Sequence, residues 1–294
     1  MKREQEHKKS DAVQKNLADA SFPRMKITWG KSKDEIWEEL STRLEENTPL
    51  KSKVRILLPV KQRVAMAASL ALLLSVAGFM RFYTEKTVSA AGEHSSIELP
   101  DGSLVELNAS TIISYQPYWW RFSRQLDLDG EAFFSVTRGK QFQVVSVHAT
   151  TEVLGTEFNV YARDNHYRVT CRSGQVRVTS SHTREMVTLL SNERAELNET
   201  GLFDVSGLAG HSSPGWMRKH LMFTSEPLRL VFDEIERQYD INIKTPEGMT
   251  HLYSGNFSID GSIENVISLI CRPFDLEYEQ ISSTSYLIHS RQAD

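Results

Sequence analysis

Gly155 and Thr156 are the one adjacent pair in this 294-residue sequence whose residue types suggest a reaction. A strained Gly-Thr bond can pass its acyl group to the threonine hydroxyl through a five-membered ring. Hydrolysis of the ester then breaks the chain without a protease. The plain alternative for the same pair is a turn ahead of the strand 157–161. Other chemistry is thinly supplied. The nine histidines are scattered, with no H-x-H or H-E-x-x-H spacing, so neither a metal nor a cofactor is expected. There is no G-x-S-x-G, no Walker sequence and no dinucleotide fingerprint. Asp101, Asp127 and Glu131 offer carboxylates, but they stand beside turn glycines, where acidic residues commonly shape turns. The aromatics Tyr115, Tyr118, Trp119, Trp120 and Phe122 could stack on a sugar or a peptide, or could serve as core and loop anchor. Two cysteines, Cys171 and Cys271, are too few for a disulfide scaffold and read as separate buried thiols, with a bridge left open in an oxidising compartment. No nucleophile-base-acid set is present, and the chain is not expected to be an enzyme.

The elements that would carry such residues are divided by an apolar segment. Val64 to Met80 contains no charge, and only Ser69 and Ser75 are polar. Its length is at the short end of a bilayer span, and Phe82 and Tyr83 extend it towards the interface. Residues 1–63 carry 15 Lys/Arg against 10 Asp/Glu, whereas residues 81–294 carry 19 against 28. Lys51, Lys53, Arg55, Lys61 and Arg63 precede the segment, and only Arg81 and Lys86 follow it closely. This bias predicts a cytoplasmic N-terminus and a larger C-terminal part outside. Val88-Ser89-Ala90 resembles a cleavage site, but so long a leading segment favours a retained anchor over a cleaved signal peptide.

In the tail, Ser32 and Glu35 have the S-x-x-E spacing of a capping box. Ile36, Trp37, Leu40 and Leu44 then share one helical face, with Glu38, Glu39, Arg43 and Glu45 directed away. So short a helix is marginal alone in water, and there is little chain around it to bury the stripe. A partner groove is expected to complete it, with Trp29 as a further contact. The competing site for the helix is the inner leaflet, helped by the basic run 51–63.

Beyond the span, strand-like runs at 104–107, 112–115, 142–145, 158–161 and 176–178 alternate with turn signals at Pro100-Asp101-Gly102-Ser103, Asp129-Gly130, Arg138-Gly139 and Ser173-Gly174. They predict an all-β domain of about ten strands over 84–210, a sandwich or a short coiled sheet stack. From Met222 the pattern becomes strand, helix, strand, and then repeats. Ser225 and Pro227 are expected to start the first helix, through Leu228, Val231, Ile235 and Tyr239. The second carries Ile263, Val266, Ile267 and Ile270. Tyr239-Asp240-Ile241 and Phe274-Asp275-Leu276 occupy matching places, which predicts a small α+β (βαβ–βαβ) domain over 211–294, with 211–215 as a hinge.

Several stretches carry a family resemblance in order and spacing: Leu99-Pro100-Asp101-Gly102-Ser103 with Val105-Glu106-Leu107-Asn108-Ala109-Ser110, then Leu128-Asp129-Gly130-Glu131-Ala132-Phe133-Phe134. Val153-Leu154-Gly155-Thr156-Glu157-Phe158-Asn159-Val160 and Ser173-Gly174-Gln175-Val176 follow. Together they resemble the FecR family of anti-sigma regulators. The C-terminal part resembles the small domain that follows in Bacteroidetes-type members, itself similar to short domains of secretins and TonB-dependent receptors. The resemblance implies a multidomain inner-membrane protein: a helical cytoplasmic tail (1–62), one transmembrane helix (63–83), an all-β periplasmic domain (84–210) and the small C-terminal domain. It implies two partners, an extracytoplasmic-function sigma factor at the tail and the signalling domain of a TonB-dependent outer-membrane receptor in the periplasm, with no direct contact to nucleic acid. The alternative is a membrane-anchored periplasmic glycan- or ligand-binding protein that uses the 115–122 aromatics.

Overall fold

A computed structural model of the protein describes residues 30–46, 59–208, 214–246 and 248–291. Trp29 and most of the expected hinge, residues 211–213, lie outside the described residues.

Helix α1 spans Lys33–Glu46. Its start follows from the sequence. The backbone N–H of Ser32 donates to Glu35 Oε2 at 2.8 Å, and the Glu35 N–H donates to Ser32 Oγ at 3.3 Å. Two otherwise orphaned amides are thereby satisfied reciprocally. Helix α2 spans Val60–Phe82 and has no buried residue. It is the one helix, among the described residues, long and apolar enough to cross a membrane.

Thirteen strands follow rather than about ten: β1 (Glu85–Ser89), β2 (Ser95–Glu98), β3 (Leu104–Leu107), β4 (Thr111–Tyr115), β5 (Arg124–Ser135), β6 (Phe142–Val145), β7 (Ala149–Val153), β8 (Glu157–Arg163), β9 (His166–Ser173), β10 (Gln175–Ser180), β11 (Met186–Leu190), β12 (Glu193–Leu197) and β13 (Phe203–Gly207). All neighbouring pairs are antiparallel except β5 with β6. Strand β5 belongs to two sheets. Its first half, through Asp129, pairs with β4 and β6. Its second half pairs with β3 and β8 from Gly130 onward. One sheet therefore runs β1-β4-β5-β6-β7-β10-β11 and the other β2-β3-β5-β8-β9-β12-β13. Leu126 and Leu128 from the first half and Ala132 and Phe134 from the second enter one apolar core between the sheets.

The Asp129-Gly130 dipeptide is not a turn; it lies in the middle of β5. Gly130 has φ of +129°, and a Cβ there would stand 2.7 Å from Thr111 Cα. A glycine inside a strand pattern marks a bend or a close backbone approach as often as a break. Here it is both, at the corner where the strand changes sheets. The other three turn signals stand as turns or bends.

The C-terminal lobe contains β14 (His220–Pro227), α3 (Leu228–Tyr239), β15 (Asn242–Lys244), β16 (Leu252–Ser258), α4 (Ile263–Cys271), β17 (Leu276–Ser282) and β18 (Ser285–Ser290). Strands β14 and β16 form one small sheet, and β15, β18 and β17 another. Leu228, Val231, Phe232 and Ile235 of α3 and Val266, Ile267 and Ile270 of α4 form their common core. Asp240 and Asp275, the matching residues of the repeat, both take the left-handed conformation that ends a helical segment, at φ of +52° and +53°. Asp tolerates that region better than most side chains, so the repeated Asp is a stop signal. Ser225 does not start α3. It sits in β14 at a register shift with positive φ, and Pro227 directly precedes the helix. Cys171 and Cys271 are free buried thiols, one in each core.

Candidate partner-binding site

The apolar stripe of α1 lies open. Trp37 is 72 % exposed and Leu44 65 %; Leu40 is also exposed and Ile36 half-buried. Glu39 bridges two cations, Lys31 Nζ at 2.6 Å and Arg43 Nη2 at 3.0 Å, which hold its carboxyl below the usual range. Arg43 departs from the sequence expectation. Seven residues after Ile36, it returns to nearly the same side of the helix, about 3.6 residues making a turn, and borders the stripe instead of opposing it. The face thus reads Ile36, Leu40, Leu44 and Trp37 with a guanidinium on its rim. That composition suits a groove with an apolar floor and an acidic edge.

The Gly155-Thr156 pair occupies a tight junction between β7 and β8. Gly155 has φ of +155°, and a Cβ on it would lie 2.7 Å from Arg138 Cα. Thr156 is buried, and its Oγ1 donates to the Gln175 carbonyl at 3.0 Å. The Thr156 carbonyl accepts from the Val136 N–H at 3.1 Å, and the Leu154 carbonyl from the Gly139 N–H at 2.8 Å. The pair is pinned from both sides beside a cleft lined by Arg138, Gln141, Glu152 and Arg177. Its glycine is required by the approach of Arg138, and its hydroxyl ties β8 to the start of β10.

The aromatic run divides. Tyr115 and Trp120 belong to the sandwich core, whereas Tyr118 and Phe122 are exposed and Trp119 is half-buried. A continuous sugar-stacking platform is therefore not formed.

A third region escaped the sequence reading. After Gly130 the alternating burial of β5 ends, and Glu131 to Phe134 are all buried. Ala132 and Phe134 face the sandwich core, while Phe133 joins the core of the C-terminal lobe. Glu131, next to Phe133 on the same outer face, is not a turn former but the centre of a buried polar seam. Its Oε2 accepts from Asn108 Nδ2 at 2.8 Å and its Oε1 from Asn159 Nδ2 at 2.8 Å. Across the seam, Gln238 Nε2 donates to Asn108 Oδ1 at 2.7 Å and to Glu234 Oε1 at 2.8 Å. Arg237 pairs with Glu234 Oε2 at 2.9 Å, and Arg168 of β9 reaches Glu226 of β14 at 3.3 Å. Burial, then the charge of Glu234, pushes the Glu131 carboxyl above its ordinary value. The one sequence signal was a Glu set against the apolar run Ala132-Phe133-Phe134.

Residues 85–177 match the model of the FecR protein family, and residues 220–288 match that of the FecR C-terminal region. The chain belongs to the FecR family. Its FecR region covers the sandwich from β1 into β10, and its C-terminal region covers the lobe from β14 to β18. Two crystal structures of a candidate anti-sigma factor from Parabacteroides distasonis ATCC 8503 are similar to it at 27 % identity. The one at 2.50 Å resolution has a TM-score of 0.65 and covers 71 % of this chain and 99 % of that one. The one at 1.65 Å has a TM-score of 0.64 and covers 70 % and 99 %. No curated protein matches the sequence.

Proposed function

We propose that this FecR-family chain is a transmembrane anti-sigma regulator. Its tail, residues 1–62, holds an extracytoplasmic-function sigma factor in the cytoplasm; α2 crosses the inner membrane; the sandwich and the C-terminal lobe stand in the periplasm. The observation that carries this reading is the open stripe of α1. A capped helix with Trp37 72 % exposed presents an apolar face that its own short helix does not bury. Burying such a face is worth several kcal/mol at about 25 cal/mol per Å².

On the other side, the two-stranded sheet of the C-terminal lobe supports contact with the signalling domain of a TonB-dependent receptor. Both outer edges of β14 and β16 are unpaired among the described residues, and Met222 and Leu252 are exposed on them. Open edges with apolar side chains can add a strand from a partner. The alternative, an anchored glycan-binding protein, is weakened by the loss of Tyr115 and Trp120 to the core.

The test is purification of the full chain from detergent extract with identification of what accompanies it. A sigma factor is expected with the native chain and absent with Trp37→Ala. A chain that retains no sigma factor in either form would overturn the reading.

A further inference from the structure

The exposed half of the aromatic run has a specific neighbour. The segment 116–123 winds through successive tight turns, with Trp119 N–H donating to the Gln116 carbonyl at 3.1 Å and Phe122 N–H to the Trp119 carbonyl at 2.9 Å. Trp120 is its anchor, 3 % exposed and edge-on to Tyr115 and Phe142 at 5.5 and 5.8 Å. With Trp120 held in the core, Tyr118, Trp119 and Phe122 are presented outward, and Trp119 and Phe122 lie against one another at 4.6 Å.

These rings meet the end of α2. Tyr118 lies 6.0 Å from Phe79 and 5.4 Å from Tyr83. The Arg81 guanidinium sits 5.2 Å from the Trp119 ring and donates to Gln116 Oε1 at 2.9 Å. Phe122 is 69 % exposed, and Arg121 beside it is exposed as well.

We propose that the 117–123 turn is a membrane-docking surface, seated in the headgroup layer of the same bilayer that α2 crosses. The proposal rests on reading α2 as the spanning helix. A helix of 23 residues is about 35 Å long, enough for a hydrocarbon core of roughly 30 Å. Its last turn, with Phe79 and Arg81, and Tyr83 directly after it then stand at the interface, and whatever covers rings in contact with them must lie at the same depth. The composition fits this place. Trp and Tyr favour the headgroup level, where one side of the ring is apolar and the other wet, and Arg81 and Arg121 can reach lipid phosphates while their stems stay apolar. A surface held at two points, by α2 and by the docked turn, fixes the tilt of the sandwich on the membrane. A domain held by α2 alone could swivel.

The experiment uses the full chain, one molecule per nanodisc of mixed zwitterionic and anionic phospholipid, carrying a nitroxide on a single introduced cysteine. The native Cys171 and Cys271 are buried and do not compete for the label. Three sites are compared: Leu73→Cys on α2, Phe122→Cys on the turn, and Val147→Cys, 88 % exposed beyond the end of β6 away from Trp120. Collision with dissolved oxygen is read against collision with a water-soluble nickel chelate. The label at 122 is expected to favour oxygen several-fold over the label at 147 and to approach the label at 73. A lipid-protected 73 with a 122 as wet as 147 overturns the docking while leaving the span intact. A wet label at 73 overturns both. Protection at 122 that appears only with two chains per disc assigns the surface to a second copy, and that also overturns the proposal.

Discussion

Glu131 of β5 and Glu234 of α3 share one side-chain amide, that of Asn108, at 2.8 and 3.4 Å. Two carboxylates from different lobes are thereby brought together out of water, with Gln238 closing the ring and His94 Nε2 within 3.0 Å of Gln238 Oε1. Phe133 and Trp216 seal the seam on its apolar side. The C-terminal lobe is thus seated on the outer face of the second sheet by a polar network that burial makes sensitive to its own charge.

Titration should reveal this seam. The Glu131 carboxyl is raised above its ordinary value of 4.5, so the folded chain keeps that proton to higher pH than the unfolded chain does. Its contribution to stability is therefore complete below about 4.5 and is lost as pH rises through the raised folded value. Thermal unfolding of the full chain in detergent should show a midpoint that falls with pH across that window. Glu131→Gln, which removes the ionisable group and leaves one of the two Asn Nδ2 donors without its acceptor, should flatten the dependence at a lower midpoint. A variant with the native slope would assign the titration to another group.

The tail face can be tested with a matched pair of substitutions. Truncating a buried interface aromatic typically costs about 2 kcal/mol or more, over an order of magnitude in affinity. Trp37→Ala should weaken capture of the sigma factor by at least that factor, measured by titration against the full chain. Glu38→Ala, on the side of the helix away from Ile36 and Leu40, should change it little. Equal losses would argue that the helix is merely destabilised and that its stripe is not the contact.

What could be read from the sequence was local. Ser32 and Glu35 announce the start of α1, and the strand bounds at 104–107 and 142–145 follow from alternation over a few residues. Each feature is decided by neighbours in the chain. The misread places all depend on distant partners. Gly130 carries the same turn signal as Gly102, and only the pairing of β5 with four different strands makes it a corner. Ser225 looks like a helix cap until β16 imposes the register shift that puts it in a bulge. Glu131 looks like a turn-shaping acid because nothing nearby in sequence announces Asn108, Asn159 or α3. Of the candidate site, the stripe on α1 was legible by periodicity, while the seam needed the fold.

Gly130→Ala probes that corner directly. The new Cβ would meet the Thr111 backbone at 2.7 Å, at a φ that L-residues rarely adopt. Strain of this kind costs about 1–3 kcal/mol, before any shift of β4 against β5. The variant should unfold at a clearly lower temperature than the native chain. Gly207→Ala, where a Cβ meets nothing within 4 Å, should not.

The Gly155-Thr156 junction leads to the sharpest chemical prediction. The candidate reaction, against the plain turn that the same pair supports, is attack of Thr156 Oγ on the Gly155 carbonyl carbon; the C–N bond breaks as the hydroxyl proton passes to the nitrogen, and water then cleaves the ester to a Gly155 carboxylate and a free Thr156 amine. The geometry favours part of this. Gly155 stands at φ of +155° where a Cβ would meet Arg138, and the Thr156 hydroxyl is positioned by its bond to the Gln175 carbonyl. Breaking the bond would not release the pieces. Glu157 onward stays paired with β5 and β9, so both fragments remain in one sandwich under native conditions. The purified full chain should therefore run as one species on gel filtration and as two bands after denaturation, the larger N-terminal piece ending at Gly155. Thr156→Ser, which keeps the hydroxyl, should also give two bands. Thr156→Val should give one, while losing the bond to the Gln175 carbonyl and with it about 1 kcal/mol of stability. A native chain that stays whole after prolonged incubation would leave Thr156 as the strut between β8 and β10 and remove the reaction from the signalling mechanism.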